Sequence, residues 1–90
     1  MEWVFDTGKD ALNQAKHGVS LARACDLDWD HALVAPDLRR DYGEPRQVAL
    51  APMAGRLWVV VFTDRADVRR VISLRKANLR EFRRYEQEAP

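Results

Sequence analysis

Residues 46–75 read RQVALAPMAGRLWVVVFTDRADVRRVISLR, and this stretch decides the fold class. It holds three runs rich in branched apolar residues, at 46–51, 57–63 and 68–75, joined by short connections at Pro52-Met-Ala-Gly55 and Asp64-Arg-Ala-Asp67. Connections this short join only antiparallel strands, because a parallel pair needs a crossover of a dozen residues or more. The middle run, Leu57-Trp58-Val59-Val60-Val61-Phe62, is apolar on both faces, as a central strand covered on both sides requires. The last run alternates, which predicts Val68, Arg70, Ile72 and Leu74 on one face and Arg69, Val71, Ser73 and Arg75 on the other. The meander therefore turns one face to a core and carries arginines on the other.

Working outward, residues 2–5 form a short first strand that runs into Asp6 or Thr7 as the cap of a helix. Leu12 and Ala15 give that helix an apolar i, i+3 pair, and Gly18 stops it. Ser20 caps a second short helix with Leu21, Ala24 and Cys25 on one face, and residues 31–35 suggest a brief strand. The Pro-, Gly- and Asp-containing segment 36–45 reads as a loop. Beyond the meander, residues 77–88 form a terminal helix whose Leu79, Phe82 and Tyr85 can cover one sheet face. The expectation is a single α+β domain over 1–90: two short N-terminal helices, an antiparallel three- to four-stranded sheet and a C-terminal helix.

Ninety residues supply one core, which excludes two-domain enzymes. The formal charge is +1, yet residues 1–45 hold 5 basic and 9 acidic side chains (net −4) while residues 46–90 hold 10 and 5 (net +5). Arg makes up 12 of the 15 basic residues, and its planar, permanently charged fork suits phosphate. A single cysteine, Cys25, forms no intrachain disulfide and fits a reducing cytoplasm, where it is expected to pack as a small apolar side chain. The chain shows no signal-type leader and no run long enough to span a membrane, so a cytoplasmic protein without membrane contact is expected.

Motifs for several chemistries are missing. Asp26, Asp28 and Asp30 open like a calcium loop, but His31 stands where such a loop needs glycine. His17 and His31 lack zinc spacing, and neither a phosphate-binding glycine loop nor a nucleophile elbow occurs, so no metal or other cofactor is expected. What remains is a set of acid/base groups, His17, Glu44 and Tyr85, and a set of cations, Lys9, Arg46, Arg65, Arg75 and Lys76. Those are the parts needed to cut RNA without a metal, where the neighbouring 2′-hydroxyl attacks and the protein supplies proton transfer and positive charge. Each also has a structural reading: His17 can cap a helix end, Tyr85 can pack, and Glu44 and Arg46 can simply pair.

The order of motifs resembles the BrnT family of toxins. Phe5-Asp6-x-x-Lys9-x-x-x-Asn13-x-x-Lys16-His17-Gly18-Val19 is similar to its opening, and Gly43-Glu44-Pro45-Arg46 to its Gly-Glu-x-Arg motif. Gly55-Arg56-Leu57, Val59 to Thr63 and Arg65 are similar to its central strand, and residues 70–77 with Glu81 and Tyr85 to its last strand and helix. The resemblance implies a RelE-like fold and the toxin of a type II toxin–antitoxin pair, an endoribonuclease that arrests growth. It implies His17, Glu44, Arg46, Arg65 and Arg75 as catalytic residues, with His17 and Glu44 both open as the base, and Lys9, Arg70, Lys76 and Tyr85 as RNA contacts. It further implies a BrnA-like ribbon-helix-helix antitoxin as partner, with DNA bound only through that antitoxin. One departure, Leu50-Ala51-Pro52 where the family has glycine, is expected to shorten the hairpin and narrow the substrate cleft. A non-catalytic partner or corepressor of a DNA-binding antitoxin is the alternative.

Overall fold

The computed structural model describes residues 1–89, so Pro90, the last residue of the expected domain, lies outside the described residues. In chain order the elements are β1 (Glu2–Val4), α1 (Thr7–His17), 3-10 turns at Leu21–Asp26 and Trp29–His31, β2 (Leu33–Pro36), β3 (Gln47–Met53), β4 (Arg56–Arg65), β5 (Val68–Lys76) and α2 (Leu79–Glu88). They build an α+β domain around a five-stranded sheet of order β1-β5-β4-β3-β2. The sheet is larger than the three or four strands expected, and it is mixed, because β1 runs parallel to β5 while every other pair is antiparallel. The expected second helix is instead the pair of 3-10 turns, in keeping with an Asp-rich segment whose side chains compete for local backbone bonds.

Local signals set the element ends. Asp6 caps α1 by accepting from the Lys9 N–H at 2.8 Å, and Gly18 closes it in the left-handed region (φ 72), donating to the Gln14 carbonyl. Asn78 and Glu81 form a reciprocal capping box, which starts α2 two residues later than the apolar pattern suggested. Ala54 and Gly55, with φ 52 and 73, make the two-residue turn between β3 and β4. That hairpin is not shortened: β3 pairs with β4 through Pro52 and Met53, and Ala51 is fully buried on the far side from the cleft.

The two sheet faces differ. One carries Ala49, Ala51, Met53, Trp58, Val60, Phe62, Val71 and Leu74, covered by Val19, Leu21, Ala24 and Leu27 from the segment after α1. Here α1 contributes no apolar side chain to the buried core. Leu12 is 72% exposed, and the buried residue of α1 is Asn13. Cys25 is exposed as well, and does not pack inside. The opposite face carries Leu50, Leu57 and Val59, against which Ala77 and Tyr85 pack, so β4 is covered on both sides as its sequence requires. Of the three α2 residues expected to cover this face only Tyr85 does so, because Leu79 (62%) and Phe82 (44%) face solvent.

A bulge changes the predicted faces of β5. Val61 pairs with Ser73 but Phe62 pairs with Val71, leaving Ile72 as the extra residue. Beyond it the alternation is inverted: Leu74 joins Val71 in the core, and Ser73 and Arg75 pass to the other face. The uninterrupted alternation had set Arg70 and Arg75 on opposite faces.

Candidate RNA-binding face

With the bulge in place, cross-strand rows on the open face read Leu33-Leu50-Val59-Arg75 and Ala35-Val48-Val61-Ser73. These rows floor a cleft of about 460 Å³ between α2 and the 37–46 loop, rimmed by Asp37, Arg39, Arg75, Glu81 and Arg84. A smaller depression beside it is lined by Arg39, Arg40, Tyr42, Arg46, Val61, Ile72 and Ser73. Beyond Ile72 lies a groove of about 670 Å³ lined by Lys9, Glu44, Thr63, Arg65 and Arg70, among others. Shared lining residues join the three into one surface across the sheet.

Of the residues singled out in the sequence, Lys9, Glu44, Arg65 and Arg70 meet in that groove. Lys9 comes from the first turns of α1, Glu44 from the loop before β3, and Arg65 and Arg70 from the two sides of the β4–β5 turn. Ala66 makes this turn at φ 52, so that Arg65 and Val68 remain paired and Arg70 follows on the same face. Arg46 sits next door, its guanidinium 4.0 Å from the centre of the Tyr42 ring and its Nε 3.7 Å from Glu44 Oε1. At 3.7 Å that contact is an ion pair without a hydrogen bond.

The other residues are elsewhere. Arg75 is held by Glu81 through two bonds of 2.9 and 2.8 Å, and this pair keeps the Glu81 carboxyl below the usual carboxylate range. It anchors α2 to the sheet at the opposite end of the surface from Arg65. His17 closes α1, half-buried; burial, then the charges of Lys16 and Arg75, push its pKa down, so the neutral ring is favoured. It lines none of the three depressions. Tyr85 donates its hydroxyl to the His31 carbonyl at 2.6 Å and packs against the sheet, and Lys76 is exposed at the end of β5.

Several arginines have structural work that the sequence does not reveal. Arg69 lies on the core side, 4.4 Å from the ring centres of Trp29 and Phe62 and 5.4 Å from Trp3, while Asp64 takes its fork at 2.8 and 2.9 Å. Asp37, 7% exposed, accepts the Arg39 fork at 2.8 and 2.8 Å, which with smaller help from the Tyr42 hydroxyl lowers its pKa to about 2. Its N–H donates to the Arg46 carbonyl, so the loop is closed at its base. The Asp26–Asp30 run is likewise used locally: Asp26 pairs with Arg23, and Asp28 with His31. Tyr42 and Asp37 were missed because an aromatic and an acid in a Pro/Gly loop carry no periodic signal.

The family model described as "Ribonuclease toxin, BrnT, of type II toxin-antitoxin system" matches residues 5–81, well over half of the chain. No curated protein matches it.

Proposed function

The chain belongs to the BrnT family of type II toxin–antitoxin ribonuclease toxins, and from that premise we propose that it is itself an active, metal-free endoribonuclease whose catalytic groove is the one lined by Lys9, Glu44, Arg65 and Arg70. The observation that carries this reading is the meeting of three cations with Glu44 in a single groove on the open side of the sheet, where the other lining carboxylate, Asp64, is already taken by the Arg69 fork. Glu44, with its side chain 47% exposed, takes the proton of the 2′-hydroxyl. The 2′-oxygen then attacks the adjacent phosphorus, the bond to the 5′-oxygen breaks, and water protonates that leaving group. The products are a 2′,3′-cyclic phosphate and a 5′-hydroxyl. Arg65, Arg70 and Lys9 offset the charge that builds on the phosphorane oxygens, with Arg46 behind Glu44. Arg75, at the other end of the surface, holds α2 and touches RNA outside the cleavage step, while His17, which lines none of the three depressions, takes no part in it.

The partner in this reading is a BrnA-like ribbon-helix-helix antitoxin that covers the cationic face, blocks RNA and supplies the DNA contacts, in the cytoplasm. No helix among the described residues is long and apolar enough to cross a membrane. The test is incubation of the purified protein with RNA in EDTA, followed by end-group analysis. Cleavage leaving cyclic phosphate ends is expected, with Glu44→Gln slower by about 100-fold or more. Intact RNA, together with tight antitoxin binding, would replace the enzyme with a non-catalytic partner.

A further inference from the structure

Tyr42 lies beside two arginines in the loop that overhangs the sheet, 4.0 Å from the Arg46 guanidinium and 5.1 Å from that of Arg40. Neither Arg40 nor Arg46 makes a hydrogen-bonded pair with a carboxylate; the nearest is Glu44, 3.7 Å from Arg46. The Arg46 side chain is 19% exposed, and its Nε is fully buried without a hydrogen-bond partner. A buried charged donor left unpaired costs free energy unless a ligand compensates it. Both guanidiniums border the depression over Val61, Ile72 and Ser73, which also offers the Ser73 hydroxyl. Arg39, on its rim, already has Asp37 as partner, so the depression keeps an excess of positive charge.

We propose that this depression is a subsite for one backbone phosphate of RNA next to the cleavage groove, and that Tyr42 is its positioning residue, holding Arg40 and Arg46 by stacking so that both guanidiniums face the same phosphate. The proposal rests on the ribonuclease reading for the identity of the polyanion. It adds that a ring, and not a further charge, sets the geometry of the cations. Arg stacks on a ring through its flat face and leaves its edge donors free, which a Lys ammonium does not do.

The test uses the full chain and a short 2′-O-methyl oligoribonucleotide, which lacks the attacking hydroxyl, with binding followed by fluorescence anisotropy over a range of salt. Tyr42→Leu is expected to weaken binding about tenfold and to make the salt dependence shallower by about one phosphate contact. Tyr42→Phe, which keeps the ring, should bind within about twofold of the parent, and Arg46→Lys, which keeps the charge but not the stack, should behave as Tyr42→Leu. Wild-type affinity and salt slope in folded Tyr42→Leu, or in Arg46→Lys, would overturn the subsite. If those variants fail to weaken binding while the parent cleaves RNA, only the subsite falls. If the parent neither binds the oligonucleotide nor cleaves RNA, the ribonuclease reading falls with it.

Discussion

Asn13 and Leu74 exchange two hydrogen bonds: the amide Nδ2 donates to the Leu74 carbonyl at 2.9 Å, and Oδ1 accepts the Leu74 N–H at 3.1 Å. β1 pairs with β5 only as far as Arg70, so the side chain of Asn13 acts as a strand partner where β1 has ended. The same Nδ2 also donates to Val19, which fixes the segment that covers the core. Asn13→Leu should therefore destabilise the protein by about 2 to 4 kcal/mol, since buried backbone groups at Leu74 and Val19 lose their partners. Urea midpoints of the two proteins check this; an unchanged midpoint would refute it.

The Asp37 carboxyl, lowered to about 2, gives a pH signature. Folded protein binds fewer protons there than the unfolded chain, so stability is complete above the ordinary value near 3.8 and declines as pH falls from there through about 2. Asp37→Asn should lose about 1 to 2 kcal/mol at neutral pH and show a flatter acid limb in denaturant titrations.

His17 acts in the same sense at higher pH. Its value is pushed below 6.5, so the folded state resists protonation and stability declines as pH drops below 6.5 toward the folded value. His17→Gln should remove that part of the pH slope. Cleavage that persists within a few-fold in this variant, while Glu44→Gln is nearly inactive, assigns the base to Glu44; the reverse pattern assigns it to His17.

Arg75 and Glu81 form the main polar tie between α2 and the sheet. No α2 residue is fully buried, so little else fixes the helix beyond Tyr85. Arg75→Ala should cost only about 1 kcal/mol globally, yet speed amide exchange in α2 well ahead of β4. Equal exchange in both elements would contradict this.

Ala54 occupies a left-handed position ahead of Gly55, where Asn is the favoured residue. Ala54→Asn should raise stability by about 0.5 to 1 kcal/mol without affecting RNA cleavage, read from the thermal midpoint and the EDTA assay.

The strands, their pairing from β3 to β5, and the ends of α1 follow from hairpin spacing, apolar runs and the Asp6 and Gly18 caps, all of which are local. The faces of β5 do not, because the extra residue at Ile72 is recognised only by what pairs with Phe62. Parallel addition of β1 is similarly hidden, as Glu2 meets Val68 across the length of the domain. In the candidate site, residue types singled out Lys9, Glu44 and Arg65 and the family resemblance added Arg70, and the fold brings these four together. The same reasoning treated Arg75 as a free cation, since nothing in the sequence reveals that Glu81 takes its fork. Arg69 shows the limit most clearly: its neighbours Trp3, Trp29 and Phe62 come from three distant segments.

The β1–β5 pairing also sets a schedule for synthesis. Lys9 is made well before Arg65 and Arg70, and β1 has no partner until Val68 to Arg70 have emerged. A nascent chain on the ribosome holds one wall of the groove without the other, and the five-stranded sheet closes only once β5 has emerged. The groove is thus complete only after β5 has been made, and the cell gains the interval of synthesis that precedes it.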